Sequence, residues 1–446
     1  MRTAERLGAQ LSQNMVGSEL QNPPPQDCAA EGGARADAIH APGPRRGATL
    51  FIFVTIVLDM CAVGMAIPVM PRLVQSLLGG GTSAAAAAHA AELFGLLNML
   101  WAAMQFLTSP LQGAISDRFG RRPVILMSNF GLGADYTLTA LAPHLSWLFF
   151  GRILSGSAAG GIPAALAYLA DTTPPEKRAA SFGFLGAATG LGITAGMAFG
   201  GLAGSLNPRL PFWIAACLCL LNASYGLFVL PESLPKDRRT PFSWRQANPI
   251  GAFRLLRTNP GLRGMAVVAF LVSLSAQALP NIVVLYVGYR YHWGIWPIAQ
   301  MLTGWAICSM AAQAVLLPAA TARLGERPTL MIGLVLTIAG FLAIALARSG
   351  GAFWWGVLLM AGGSVSTPLI NAFFSRRLGA GEQGRLQGAT NSLNGVTGMV
   401  GPALFTQVFS MAVRGEARFN LIGAPFLLAA ALMLTATVLA IREAHA

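Results

Sequence analysis

The sequence predicts an all-α membrane protein in which twelve transmembrane helices form two six-helix bundles. Three observations lead there. Of 446 residues, 54% are hydrophobic and only 11% charged, a balance that excludes an ordinary soluble domain or a string of them. The apolar residues fall in runs of about 20, the length that crosses a bilayer core. No alternating barrel pattern accompanies them, so the backbone must satisfy its own hydrogen bonds as helix. The chain also repeats at an offset of 205 residues: Gly120-Arg-Arg-Pro123 falls on Gly325-Glu-Arg-Pro328, Arg118 on Arg323, Gly151 on Gly356, Gly183 on Gly388, and Ala195-Gly196 on Val400-Gly401.

Residues 1–46 come first, rich in Pro, Gly and Ala, with five basic and five acidic residues and no apolar core. They read as a disordered cytoplasmic tail, not a signal peptide. The first bundle, 47–231, holds expected spans at 48–78, 93–115, 123–142, 146–170, 180–203 and 211–231. Its 79–91 stretch is low in complexity and reads as a flexible loop. Residues 232–263 carry Pro235, Pro241, Pro249 and Pro260 among basic residues and form a cytoplasmic linker. The second bundle, 264–446, holds spans at 264–287, 296–320, 327–347, 352–375, 386–411 and 420–441.

The net charge of +13 is not a nucleic-acid signature, because the basic residues sit in alternate loops. One side holds Arg118, Arg121, Arg122, Lys177, Arg178, Arg323, Arg327, Arg376, Arg377, Arg385 and the basic linker. The other holds Arg72, Arg209, Arg290, Arg348, Arg414 and Arg418. Positive residues favour the inside, so both termini are expected in the cytoplasm and the chain in the cell membrane, the inner membrane in a Gram-negative host. The five cysteines are scattered without metal-ligand spacing or a disulfide framework, and read as small apolar residues. No nucleophile elbow or Walker loop is present, so neither an enzyme nor an ATP-driven pump is expected, and no cofactor or metal is implied.

The run from Gly113 to Pro123 sets Asp117, Arg118, Arg121 and Arg122 beside Gly120 in a tight turn between two spans. The glycines permit the geometry such a turn requires. Within the spans, a carboxylate costs several kcal/mol unless paired, neutralised or facing water. Asp59 in the first span and Asp135 in the third therefore ask for a reason, and taking up and releasing protons is one; pinning by Arg or hydroxyl partners as packing glue is the other. Arg152 in the fourth span is the cation placed well inside. It needs a carboxylate, Asp59 or Asp135, or a water cavity, or else snorkels to the interface. The fifth span contains Gly192, Gly196, Gly200 and Gly201, small residues at a spacing that brings helices close. No expected span of the second bundle contains Asp or Glu. Gln277, Asn281, Gln313, Asn371, Asn391 and Asn394 remain there as polar contacts for a substrate or as interhelical glue.

The Gly113–Pro123 run resembles, at every position, the loop between helices two and three of the major facilitator superfamily. The glycine run of the fifth span resembles the motif of the superfamily's drug:proton antiporter branch, with Met197 where a proline is usual. The Asp59 segment, Gly-Ala-Asp135-Tyr, Tyr168-Leu-Ala-Asp171, Pro231-Glu-Ser, Asn248-Pro-Ile-Gly-Ala-Phe-Arg254, Gln277, Arg290-Tyr-His-Trp293 and Arg323-Leu-Gly-Glu-Arg327 together resemble the tetracycline-efflux group of that branch. The resemblance implies parallel six-helix repeats with a substrate site between them. It implies that Asp117 caps a helix N-terminus in the opposite half, and that Arg121 or Arg122 reaches Asp171, a latch involving Gly113, Arg118 and Gly120 as well. It implies proton coupling through Asp59, Asp135 and Arg152. Two positions depart from the group: Ser309 stands where it has a histidine, and Thr337 where it has an aspartate. The implied function is export of a small amphipathic or drug-like compound against protons, by a monomer in the lipid bilayer. The alternatives are a metabolite uptake symporter or facilitator and, of another class, a transport-inactive receptor or sensor.

Overall fold

The computed structural model describes residues 46–81, 83–241, 260–370, 383–415 and 421–445. The expected tail before residue 46, the linker from 242 to 259, and Asn371 lie outside the described residues. The helices are α1 (Arg46–Ala66), α2 (Met70–Leu77), α3 (Ala84–Phe119), α4 (Arg121–Leu141), α5 (Leu145–Ser157), α6 (Gly161–Thr172), α7 (Pro175–Leu206), α8 (Leu210–Val229), α9 (Pro260–Ala276), α10 (Ala278–Arg290), α11 (Ile295–Ala311), α12 (Leu317–Leu324), α13 (Glu326–Leu346), α14 (Gly350–Gly363), α15 (Gln383–Arg414) and α16 (Ala424–His445). Each of the twelve expected spans overlaps one of these or a broken pair, with residues 371–375 of the span 352–375 and residue 420 outside the described residues. Among the described residues, ten helical segments are long and apolar enough to cross a membrane, and the pair α1/α2, bent by 43°, makes an eleventh. The remaining expected span is α4, whose 21 residues also reach across a bilayer core but carry Arg121, Arg122, Asn129 and Asp135.

One boundary differs from the sequence reading. The stretch 79–91, expected as a flexible loop, is helix from Ala84 onward, and the second span starts there rather than at 93. Alanine has the highest intrinsic helix propensity, and Ser83 caps the run by accepting from the Ala86 amide at 3.2 Å. A low-complexity alanine run thus extends the helix by two turns and places Glu92 within it. Other spans are interrupted where the sequence read them as continuous. Gln277 separates α9 from α10, and the Asn281 side-chain amide donates to the Gln277 carbonyl at 2.8 Å, occupying an acceptor at the break. Residues Ala312–Leu316 form a single π turn ahead of Pro318.

Helices α1–α8 pack among themselves, chiefly α1 on α7 and α8, and α4 on α5, α6 and α8. Helices α9–α16 do likewise, α13 on α14 and α16, and α9 on α15 and α16. Tyr286 anchors the second group. Its hydroxyl donates to the Ile344 carbonyl at 3.1 Å and its ring meets Phe426 edge-on at 5.0 Å. Two seams, α3 on α15 and α7 on α11, join the groups.

The tightest packing is α1 on α7. A Cβ built on Gly192 would lie 2.6 Å from the Val57 carbonyl oxygen, on Gly196 2.1 Å from that of Cys61, and on Gly200 2.4 Å from that of Met65. Opposite them Gly64 meets the Ile193 carbonyl at 2.4 Å. Backbone touches backbone along just over two turns, and no side chain can yield. Gly201 turns instead to the seam, where its Cβ would lie 1.9 Å from that of Ala299. Replacing Gly196 with Val should separate α1 from α7 and lower stability by about 1–3 kcal/mol or more. A thermal melt of the detergent-solubilised protein should show a reduced midpoint, with Gly186→Val, where no described atom lies within 4 Å, as the near-neutral control.

Candidate functional site

Asp135, on α4, is 1% exposed, and Nη2 of Arg152 on α5 donates to its Oδ2. Of the partners open to Arg152 in the sequence, the structure supplies this one. Gly151 makes the room: a Cβ there would sit 2.3 Å from Asp135 Oδ1. Thr139, one turn along α4, reaches the same oxygen at 3.5 Å. The Arg152 Nε is buried with no hydrogen-bond partner, so the guanidinium is only partly satisfied.

Asp59 is held differently. Its carboxylate accepts from the Asn222 amide of α8 at 3.3 Å, and the Asn222 carbonyl accepts from the Thr55 hydroxyl at 3.1 Å. No cation pairs with it among the described residues. The two acids thus sit in the same helix group with different partners, a neutral amide for Asp59 and a guanidinium for Asp135. Asn222 was hidden in the sequence as one polar residue in an apolar span.

The Gly113–Pro123 turn joins α3 to α4. Arg121 pairs with Asp117 four residues before it and with Asp171 at the end of α6, the latter at 3.2 Å. Of the two arginines implied to reach Asp171, it is Arg121; Arg122 donates to the Leu227 carbonyl of α8. Arg118 lies over the Phe119 ring at 5.1 Å. The carboxylate of Asp117 pairs within its own helix group, and its carbonyl accepts from the Thr240 amide at 3.2 Å. Gly113 has no described atom within 4 Å of a Cβ.

An acid noted in the sequence only as part of Pro231-Glu-Ser, with no role assigned, completes this turn. Glu232 accepts from the backbone amides of Arg121, Ser233 and Leu234 at 2.8, 3.0 and 3.1 Å, placing a carboxylate on the N-terminus of α4, where the helix dipole favours it. Gly120 has φ +111°, and a Cβ there would lie 2.1 Å from a Glu232 oxygen. Gly325 repeats the backbone with φ +84°, but no described atom lies within 4 Å.

The polar residues of α9–α16 divide. Asn98 of α3 donates to Asn281 at 3.0 Å, and Asn281 in turn reaches Gln277 Oε1 at 3.3 Å, a polar chain across the α3 seam. Asn394 accepts from the Ser273 hydroxyl at 2.9 Å. Gln313 is exposed on the π turn and Asn391 is exposed on α15. Thr337 donates to the Gly333 carbonyl of its own helix at 2.9 Å, and the buried Ser309 hydroxyl has no partner. No group of three or more His, Cys, Asp or Glu residues able to hold a metal ion occurs among the described residues.

Residues 52–402 match the profile described as Major Facilitator Superfamily, which spans both helix groups. The chain belongs to that superfamily. It is a membrane transporter by family, similar to the class C tetracycline resistance protein of Escherichia coli, with 35% identity over 81% of this chain and 90% of the relative. The class B protein of Escherichia coli is 32% identical over 81% and 88%. Among solved structures, the human organic anion transporter MFSD10 (TETRAN) has a TM-score of 0.65 at 24% identity, covering 89% of this chain and 99% of that one. A bacterial homologue of the human lysosomal transporter Spinster has a TM-score of 0.69 at 16% identity, covering 90% and 96%. These structures share the superfamily's fold with this chain.

Two outcomes are expected from the site geometry. Asp135→Asn strands Arg152 in a buried position and should cost about 3–5 kcal/mol, whereas Asp59→Asn keeps a partner for Asn222 and should cost less than about 1.5 kcal/mol. Thermal melts of the two variants, with Asp135→Asn/Arg152→Gln regaining part of the loss, check the difference. Gly120→Ala should lower the melting temperature more than Gly325→Ala, since both strain φ and only the first collides with a carboxylate.

Proposed function

We propose that this transporter exports a small amphipathic or drug-like compound in exchange for protons, by alternating access across the cell membrane with both termini in the cytoplasm. The observation that carries the reading is the Asp135–Arg152 pair buried between α4 and α5. Protonating Asp135 removes the charge that holds Arg152, so the tie between α4 and α5 weakens when a proton arrives and reforms when it leaves. Asp59, bonded to a neutral amide, is the second proton-handling group, in the same bundle. The similarity to tetracycline resistance proteins and the glycine face of α7 on α1 support export. The arginines at the Gly120 end support its cytoplasmic placement.

The two helix groups meet from the end opposite Gly120 to about the middle of α3, where Gly395 would collide with Phe106. Gly95 would collide with Thr406, and Gly201 with Ala299, while Gly113, Gly183 and Gly186 toward the Gly120 end have no described atom within 4 Å. In the proposed orientation this is the state open to the cytoplasm. The substrate enters from that side and meets uncharged hydrogen-bonding groups, Asn98, Asn281, Gln277 and Asn394, with Gln313 and Asn391 as further contacts and Asn371 as an outlying candidate. A neutral or weakly charged amphipathic compound suits such a lining better than a chelated divalent cation.

In proteoliposomes with an imposed pH gradient, Asp59→Asn and Asp135→Asn should each reduce proton-driven substrate flux by at least about tenfold. Full flux in both variants at pH 7 overturns the assignment, and flux only toward the cytoplasmic face makes the chain an importer. In an efflux-deficient host, the protein should give weak or no tetracycline resistance, because Thr337 and Ser309 do not titrate in the physiological range. Strong resistance that survives Asp135→Asn overturns that reading.

A further inference from the structure

Glu92 lies 27 residues before Phe119 on α3, about 40 Å along the helix axis, and so at the end of the molecule away from Gly120. Its Oε1 accepts from Ser410 Oγ at 2.6 Å and from Arg414 Nη2 at 2.8 Å, both on α15 in the other helix group. On its own helix His89 Nδ1 lies 3.9 Å from Oε2. The carboxylate is only 24% exposed. Among the described residues, Glu92–Arg414 is the ion pair that crosses between the two helix groups; Arg121–Asp117, Arg121–Asp171 and Arg152–Asp135 each stay within one.

The surroundings make this bond the end-stop of a seam. One turn on, Gly95 lets α3 close on Thr406, and a further turn brings Asn98 to Asn281. Beside it, Arg72 of α2 donates to the Trp293 carbonyl at 2.5 Å, a second tie across the same end. To expose a central site at this end, α3 must leave α15, and Glu92 then loses both partners at once. A charge-assisted hydrogen bond is roughly twice as strong as a neutral one, and with Arg414 54% exposed solvent screening keeps this restraint modest, small enough for the end to open.

We propose that Glu92 is a positioning residue for transport: through Ser410 and Arg414 it holds the end opposite Gly120 shut, and its release sets the rate at which the site opens there. This rests on the alternating-access reading but on neither the substrate nor proton coupling. The measurement is therefore conformational, with turnover as a second readout. Spin labels on Leu78→Cys and Leu421→Cys report that end, and labels on Phe119→Cys and Leu324→Cys report the other, in protein whose native cysteines are replaced; all four sites are exposed, apart from these substitutions leaving the seam untouched.

Glu92→Gln and Arg414→Gln should each raise the open-to-closed ratio at the 78/421 end by about 3- to 10-fold and narrow the 119/324 distance. Turnover should change by a similar factor with little change in KM. Exchanging the charges, Glu92→Arg with Arg414→Glu, should restore the distribution toward that of the unaltered pair. Ser410→Ala, a smaller change that keeps the ion pair, should shift it in the same direction by less, and serves if the charge variants fold poorly. Unchanged distances in Glu92→Gln and Ser410→Ala, or an exchanged pair that behaves like the single variants, overturn the proposal. A distance shift with no substrate flux in any variant keeps Glu92 as the restraint and counts against the exporter reading instead.

Discussion

A charge buried in hydrocarbon must have its counter-charge at hand, and in this protein that constraint organises the first helix bundle. Asp135 fixes α4 against α5 because Arg152 has no other anion within reach among the described residues. Gly151 is small so that the carboxylate can approach, and Thr139 supplies a further contact on the same helix. With α5 so held, the turn that follows it leads into α6, whose end brings Asp171 to Arg121, so the Asp135–Arg152 pair and the ion pairs at the Gly120 end belong to one connected set of helices. The second bundle is assembled around aromatic packing at Tyr286.

This division of labour matches the mechanics of a two-part transporter. One bundle carries the buried acids Asp59 and Asp135, and the other contributes the amides of Asn281 and Gln277 to the seam. The seam between them is built of glycine and alanine contacts with polar ties near one end. Close contacts of that kind fit in one arrangement and lose their fit on a small rotation, which favours discrete states over gradual opening.

Much of this was legible in the residues. The expensive intramembrane charges announced themselves by cost, so Asp59, Asp135 and Arg152 stood out without any structure, and the Gly120 turn by its spacing. The glycines of α7 were equally visible, although the split between Gly192, Gly196 and Gly200 facing α1 and Gly201 facing α11 needed the helix phase. Glu92 was lost because an alanine-rich, low-complexity stretch resembles a linker in composition while having the strongest helix propensity of any residue type. The pairings of Glu232 and Asn222 were lost for another reason: each acts on a residue more than a hundred positions away, and a single sequence carries no signal for such pairings.

The two turns at Gly120 and Gly325 share more than a glycine. Their dihedrals, φ +111° and ψ 167° against φ +84° and ψ 170°, are two copies of one backbone shape separated by the length of the internal repeat. The first is clasped by Glu232 and the second is bare among the described residues. The shape therefore belongs to the way one helix hands over to the next, and the carboxylate clasp is an ornament on it, added to one copy or shed from the other. A duplicated chain keeps its inherited bends where the backbone demands them and is free to differentiate only in what is hung on them; the asymmetry of these two turns, a carboxylate clasp on one and none described on the other, was written onto one shared backbone shape.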